Sequence, residues 1–129
     1  MSVIGIGTDI IDIRRISKMA EQAREKLAQR ILTGSELAEY RGYLQVANAI
    51  AFLAKRWAGK EAVAKALGTG IGSGISFQHM QIEHLPSGQP VLVLTDLALV
   101  KATSLGATQW HISLSDEQHY ATSFVVLSK

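Results

Sequence analysis

The feature that most constrains the fold of this chain is one long helical pattern, Val46–Leu67. Its apolar residues recur at spacings of three and four, and they cover most of the circumference of the helix. A helix with so little polar surface is typical of a central element that the rest of the chain covers. Gly68 predicts its C-terminal end. The segment that follows has glycine at alternate positions as far as Gly74, which excludes regular structure there.

Shorter patterns predict the elements that surround this helix. They are a strand over Val3–Ile13, a helix over Arg14–Leu32, a short helix over Glu36–Tyr43, a hairpin of strands over Ser76–Leu85 and Val91–Leu94, a helix over Leu97–Leu105, and strands over Gln109–Ser115 and Tyr120–Leu127. This order predicts an α+β fold in which an antiparallel sheet packs on helices. With 129 residues, 47% of them hydrophobic, the chain is expected to form one domain, and intrinsic disorder is excluded.

Composition also excludes several classes of protein. The chain has no cysteine, so disulfides, thiolate zinc sites and cysteine nucleophiles are excluded. No apolar run approaches the roughly 20 residues that a membrane-spanning helix needs. The N-terminus has no basic segment ahead of its first apolar stretch, so a secretory signal is not expected and the predicted compartment is the cytoplasm.

Glu61 is the anomaly of the long helix, because it continues an apolar stripe. A carboxylate there is costly unless it is paired or holds a cation. Lys65 follows one turn later, and an ordinary Glu–Lys surface pair is the simpler interpretation of that spacing. The glycine-rich segment over residues 68–74 is either a flexible linker or a loop whose N–H groups converge on an anion. Together these features favour a metal–phosphate site with Lys65 on the phosphate, whereas Lys60 points about 100° away and its loss is expected to be mild.

The first strand is expected to supply a second carboxylate. Asp9 lies in an Ile-rich stretch on the same strand face as Gly5 and Gly7, and two glycines on one face indicate that something packs very close to the backbone. Asp12 is the alternative, although an aspartate at a strand end more often caps the next helix. We therefore predict a Mg²⁺ site at Asp9 and Glu61, because Mg²⁺ takes one or two carboxylates and completes its shell with water and phosphate oxygens.

Among the histidines, His111 has the best support for a functional role. A lone histidine on a strand is more often a partly buried structural residue. Here Ser113 and Ser115 share its strand face, so three polar side chains point the same way. The remaining histidines are interpreted as structural or surface residues: His79, His84 and His119.

Positive charge is concentrated in one segment. Residues 14–30 carry six basic and two acidic side chains, although the net charge of the whole chain is only +2. Either this segment is a solvated helix face or it binds an acidic partner. The main rival function is a binding module that recognises a nucleic acid or an acidic peptide without chemistry. Nucleic acid is disfavoured because the basic face is one helix long and only 6% of residues are aromatic, few for base stacking.

Three motifs carry a family resemblance. The segment Phe52–Gly70, with the sequence FLAKRWAGKEAVAKALGTG, resembles the signature of the holo-[acyl-carrier-protein] synthases, the 4′-phosphopantetheinyl transferases of fatty-acid synthesis. Segments Ile4–Ile11 and Trp110–Ser115 resemble two further motifs of that family. One departure is visible, since Asp116 stands where many relatives have a histidine. Longer transferases of secondary metabolism resemble two fused copies of this domain, so the single copy favours the short, trimeric type.

The resemblance implies a reaction and a set of roles. Coenzyme A would donate its 4′-phosphopantetheine to a serine of apo acyl carrier protein and release adenosine 3′,5′-bisphosphate, in a homotrimer with active sites at the subunit interfaces. Asp9 and Glu61 would hold Mg²⁺ on the pyrophosphate of coenzyme A, and Lys65 would contact the same phosphates. Further residues at the coenzyme A site would be Gly68, Thr69, Gly70 and His111. The base that takes the serine proton is left open between Glu61, a metal-bound water and His111.

The resemblance also implies a partner for the basic segment. Acyl carrier proteins resemble one another in being strongly acidic, so four basic residues become candidates for carrier docking: Arg14, Arg15, Lys18 and Arg24. Neither a nucleic acid nor a membrane is expected as a partner.

Overall fold

The computed structural model of this chain describes residues 2–129. Its strands and helices, in chain order, are β1 (Val3–Asp12), α1 (Ile13–Ser17), α2 (Glu21–Ile31), α3 (Gly34–Gly42), α4 (Val46–Ala66), β2 (Met80–His84), β3 (Pro90–Leu94), α5 (Asp96–Ser104), β4 (Gln109–Asp116) and β5 (Tyr120–Ser128). Strands β1, β5 and β4 form an antiparallel sheet in that order, and β2 and β3 form a separate antiparallel hairpin. The predicted α+β fold is confirmed, but the strands divide into two sheets rather than one.

Helix α4 is the central element, as its sequence pattern predicts. It is buried around most of its circumference, and Leu53, Ala58 and Val63 are inaccessible to solvent. One face rests directly on β1, where a Cβ atom on Gly7 would lie 1.9 Å from the carbonyl oxygen of Ala62. The close approach predicted from the strand glycines is therefore confirmed. None of the helices within residues 2–129, α4 included, is long and apolar enough to cross a membrane.

The prediction of a single helix over Arg14–Leu32 is wrong. The structure has two helices there, α1 and α2, separated by an extended Ala20 (φ −61°, ψ 150°). The hydroxyl of Ser17 donates to the carbonyl of Arg14 at 3.1 Å, and such bonding to the preceding turn competes with continuation of a helix. The break also turns the chain so that Ile16 of α1 is fully buried.

The predicted strand over Ser76–Leu85 is shorter than expected. Residues 77–79 form a turn of 3₁₀ helix before β2 begins. The hydroxyl oxygen of Ser76 accepts the N–H of Gln78 at 3.1 Å, which caps that turn in the manner typical of serine. The local hydrogen bond therefore replaces the first part of the strand.

The three-stranded sheet has two unlike faces. Its inner face carries Gly7 and Asp9 and lies against α4. Its outer face carries large apolar side chains that no part of residues 2–129 covers, since Ile6, Ile10 and Phe124 are 61%, 63% and 49% exposed. An uncovered apolar sheet face of this kind is typical of a surface that meets another protein.

Candidate active site

Asp9 is held at the point where the inner face of β1 meets α4. The ammonium of Lys65 donates to Asp9 Oδ1 at 3.0 Å and to the carbonyl of Thr8 at 2.9 Å. The other oxygen, Oδ2, is buried and has no hydrogen-bond partner within residues 2–129. Because a buried carboxylate oxygen without a partner is costly, this atom is a natural position for a cation ligand.

Glu61 lies one helical turn before Lys65 and faces the same space. Burial raises the pKa of Glu61 most, and the negative charge of Asp9 raises it further. A divalent cation between the two carboxylates would offset this effect of Asp9 on Glu61. Asp9 and Glu61 therefore fit the predicted metal site. In residues 2–129 no group of three or more His, Cys, Asp or Glu side chains is arranged to hold a metal ion.

The glycine-rich segment after α4 is irregular, as predicted, but the N–H groups of its first three residues point back to the helix. Gly68 and Gly70 adopt positive φ angles of 78° and 65°. The N–H groups of Thr69 and Gly70 donate to the carbonyl of Ala64 at 3.2 and 3.1 Å, and that of Gly68 donates to Lys65. These bonds satisfy the last carbonyls of the helix rather than converging on a free space. The assignment of Gly68, Thr69 and Gly70 to coenzyme A binding stays a prediction.

His111 does not join the other site residues within one chain. In the sheet register it lies beside Val126, whose partner on β1 is Ile6, and these residues belong to the exposed outer face. Asp9 lies on the inner face, since strand side chains alternate between faces. The Nε2 atom of His111 is 3.4 Å from the hydroxyl of Ser128, on its own strand pair. A contact between His111 and the carboxylate pair therefore requires a second chain.

Lys60 is the residue whose role the sequence analysis missed. Its side chain is inaccessible to solvent, and Nζ is 2.6 Å from Oε1 of Glu36. The expectation that its loss is mild therefore does not fit the structure, because removing one partner of a buried pair leaves a buried charge uncompensated. The sequence did contain a sign of this burial. Lys60 lies on a helix that is apolar around most of its circumference, so its side chain has little access to solvent.

The basic residues occupy the side of the molecule next to this site. Arg14, Arg15 and Lys18 are exposed on α1 and just after it, and Arg24 is half-buried. Arg14 is already bound at both carboxylate oxygens of Asp12, at 2.9 and 3.0 Å, which lowers the pKa of Asp12.

Asp12 also caps α1, as the sequence analysis expected of it, by accepting the N–H of Arg14. The guanidinium of Arg15 lies 5.2 Å from the ring centre of Trp57, one turn before Glu61 on α4. The basic segment therefore reaches the edge of the carboxylate site.

Asp116, the residue that departs from the family pattern, lies on β4. Its Oδ1 is 3.4 Å from Nζ of Lys55, and this ion pair joins β4 to α4.

The sequence of this chain matches a known family over nearly its whole length. The family model described as the 4′-phosphopantetheinyl transferase superfamily covers residues 5–125. The chain therefore belongs to this superfamily of transferases. The holo-[acyl-carrier-protein] synthase of Shewanella frigidimarina is 50% identical to it over 127 residues, 98% of each chain. The protein of the same name from Marinomonas sp. is 45% identical over 125 residues, 97% of each chain.

Solved structures agree with this assignment. The holo-[acyl-carrier-protein] synthase of Neisseria meningitidis is 39% identical, with a TM-score of 0.85 over 99% of this chain and 100% of that one. The synthase of Bacillus anthracis, solved in complex with CoA (3′,5′-ADP), is 34% identical, with a TM-score of 0.81 over 98% of each chain. The predicted enzyme class, holo-[acyl-carrier-protein] synthase, is confirmed.

Proposed function

We propose that this chain transfers the 4′-phosphopantetheine group of coenzyme A to a serine of apo acyl carrier protein, with Mg²⁺, in fatty-acid biosynthesis. The observation that carries the proposal is the buried, unpartnered Oδ2 atom of Asp9, beside Glu61 and Lys65 on the seam between β1 and α4. This group of side chains suits a pyrophosphate substrate, because carboxylates hold a cation and a lysine contacts phosphate oxygens directly.

In this reaction the serine oxygen forms a bond to the pantetheine-side phosphorus, and the phosphorus–oxygen bond of the pyrophosphate breaks. Adenosine 3′,5′-bisphosphate leaves with the negative charge. A bound Mg²⁺ would neutralise charge on the pyrophosphate, and Asp9 and Glu61 are the residues that would hold it. The ammonium of Lys65 would stabilise the charge that develops on the phosphoryl oxygens.

The serine proton needs an acceptor. Glu61 faces the carboxylate site of its own chain, so it can accept the proton directly or through a water on the metal that it would hold. His111 is the alternative, and it serves this role only if a neighbouring chain brings it to the site. We favour Glu61 because Asp9 and Lys65 of the same chain lie beside it.

The direct test of the function is a transfer assay read by mass spectrometry. The protein, coenzyme A and Mg²⁺ are incubated with apo acyl carrier protein, and we expect the carrier to gain the mass of one phosphopantetheine arm. A carrier whose acceptor serine is replaced by alanine is the matched control and should gain nothing. Binding of the carrier without any mass gain would instead support the rival interpretation, a binding module without chemistry.

We also propose that the active form is a homotrimer that covers the outer face of the three-stranded sheet. Ile6, Ile10 and Phe124 form the apolar part of that face, and His111 lies on it. Covering the face would bury these side chains and bring His111 of one chain toward the carboxylate site of the next. A molecule in solution of about three times 14.0 kDa is expected by light scattering.

Replacing Ile10 by aspartate tests this arrangement. A buried charge at an apolar interface is costly, so Ile10→Asp should yield monomers and lose most transferase activity. Val100→Asp is the matched control, because Val100 is 61% exposed on α5, outside the sheet. Full activity of a monomeric Ile10→Asp variant would contradict an active site shared between chains.

We propose that Arg14, Arg15, Lys18 and Arg24 dock the acidic carrier. Arg14→Glu combined with Arg15→Glu should raise the KM for the carrier by about tenfold or more and flatten its salt dependence, because surface charges act mainly on encounter. The affinity for coenzyme A, measured alone by calorimetry, should change little. Lys101→Glu combined with Lys129→Glu gives the same change of charge away from α1 and should leave the KM unchanged. Loss of coenzyme A binding in the arginine variant, with carrier affinity retained, would assign those arginines to phosphate instead.

A further inference from the structure

Lys60 is a buried ammonium group one residue before Glu61 on α4. Its Nζ donates to Oε1 of Glu36 at 2.6 Å and to the carbonyl of Ile31 at 2.7 Å. A longer bond of 3.3 Å reaches the carbonyl of Phe77. A single side chain of α4 therefore holds the C-terminal end of α2, the first turn of α3 and the segment before β2.

Glu36 extends the same set of contacts. Its Oε1 accepts the N–H of Thr33 at 2.9 Å, and its Oε2 accepts the N–H of Ile82 at 2.8 Å. Oε2 also lies 3.8 Å from Nε of Arg56, a second buried cation. The carboxylate thus ties the turn between α2 and α3 to strand β2, while Lys60 ties both to α4.

Stability alone does not explain a pair of this kind. Burial lowers the pKa of Lys60, and the charge of Glu36 opposes that shift. The cost of taking two charges out of water often offsets their attraction, so an apolar pair of similar volume is commonly as stable or more stable. The ion pair adds geometric specificity, because each of its hydrogen bonds requires a particular distance and angle between donor and acceptor.

We propose that the Lys60–Glu36 pair positions the basic helix α2 relative to the carboxylate site on α4 and β1. The inference rests on the proposed function, because α2 carries Arg24, one of the residues proposed to dock the carrier, and α4 carries Glu61. Apolar contacts, which are not directional, would hold α2 less uniquely in the absence of the pair. The carrier serine would then reach the site less often, whereas the coenzyme A site on β1 and the end of α4 would be unaffected.

A second ion pair in the chain provides a matched control. Arg41 and Glu25 also join α3 to α2, but they do so at the surface, where their side chains are 51% and 36% exposed. A surface pair contributes little to stability or geometry. Arg41→Met combined with Glu25→Gln should therefore leave both the fold and the carrier reaction unchanged.

The decisive comparison is between single and double variants of the buried pair. Lys60→Met leaves Glu36 with Arg56, at 3.8 Å, as its remaining cation and should lower the Tm by about 10 °C. Lys60→Met combined with Glu36→Gln removes both charges, and the amide of the glutamine can still accept and donate hydrogen bonds. The Tm should recover only part of this loss, because Arg56 then lacks its carboxylate, while kcat/KM for the carrier stays about tenfold or more below the parent. The Kd for coenzyme A should stay within about twofold.

A distance measurement makes the test independent of activity. The chain has no cysteine, so Gln22→Cys on α2 and Thr103→Cys on α5, both exposed positions, accept spin labels without interference. Labelled protein is mixed with an excess of unlabelled protein, so that distances within one chain dominate even in a trimer. We then expect one narrow distance distribution in the parent protein and in the Arg41/Glu25 control. The Lys60/Glu36 double variant should give a broader one.

The outcomes separate this inference from the proposed function. A double variant with a narrow distribution and restored carrier kcat/KM overturns the inference, because the pair would then be structural only. A broadened distribution with impaired carrier kcat/KM supports it. If the parent protein transfers nothing to any carrier, the proposed function fails, and the distance distributions still decide whether the pair positions α2. If the double variant does not fold, Lys60→Met alone, in which Glu36 keeps Arg56 as its cation, undergoes the same measurements with the same two outcomes.

Discussion

Replacement of Asp9 by asparagine, or of Glu61 by glutamine, is expected to lower kcat by about 10³-fold at limiting Mg²⁺. Each change removes one carboxylate from the pair that would hold the metal, and the loss of several kcal/mol of transition-state stabilisation corresponds to a factor of this size. The fold should persist, because both substitutions preserve the volume of the side chain. Turnover is measured with saturating coenzyme A and carrier across a Mg²⁺ titration.

Asp12→Asn is the matched control for this prediction. Asp12 lies on the same strand and caps α1, a role that asparagine also performs, so kcat should stay within about twofold of the parent. Parent-like turnover of the Asp9 or Glu61 variants at limiting Mg²⁺ would remove both residues from the metal site.

Thermal unfolding gives the same prediction a second readout. The raised pKa of Glu61 means that its ionised form is disfavoured in the metal-free fold, so Glu61→Gln should have a Tm equal to or above that of the parent in the presence of a chelator. Added Mg²⁺ should raise the Tm of the parent, because a ligand that binds only the native state stabilises it, and should raise that of the variant less.

The sequence predicts the carboxylate site well because its signals are local. Glu61 and Lys65 are fixed relative to each other by the period of the helix, and the strand period places Asp9 on the face of Gly5 and Gly7. Those glycines also show which face of β1 the helix meets, since only a glycine permits such close approach. The contact between Asp9 and Lys65 follows from these two periods together.

The parts that the sequence does not predict depend on contacts between distant segments. The apolar spacing of α1 and α2 is continuous, and only the extended backbone of Ala20 in the structure shows that the chain turns between them. The period of α4 predicts the direction in which Lys60 points. It does not predict that its partner is Glu36, which is 24 residues away in the sequence. Strand alternation groups His111 with Ser113 and Ser115, yet only the assembled sheet shows that this face points away from α4.

Gly7→Ala is expected to have the largest effect on stability of any single methyl group added to this chain. The new Cβ atom would lie 1.9 Å from the carbonyl oxygen of Ala62 and 2.8 Å from the backbone nitrogen of Ala66. Both are backbone atoms of a central helix, so neither can rotate away as a side chain could. Helix α4 must then lift from β1, and we expect a loss of about 3 kcal/mol or more in the free energy of unfolding.

Denaturant unfolding measures this loss, and Gly34→Ala is its matched control. Gly34 begins α3, and a Cβ atom there would meet nothing within 4 Å, so the same methyl group should be neutral or slightly stabilising in a helix. The Gly7 variant should also lose transferase activity beyond its loss of stability, because lifting α4 separates Asp9 from Glu61 and Lys65. A fully active Gly7→Ala variant whose free energy of unfolding lies within about 1 kcal/mol of the parent would show that α4 does not rest on β1 as closely as described. The described geometry of the carboxylate site would then be wrong as well.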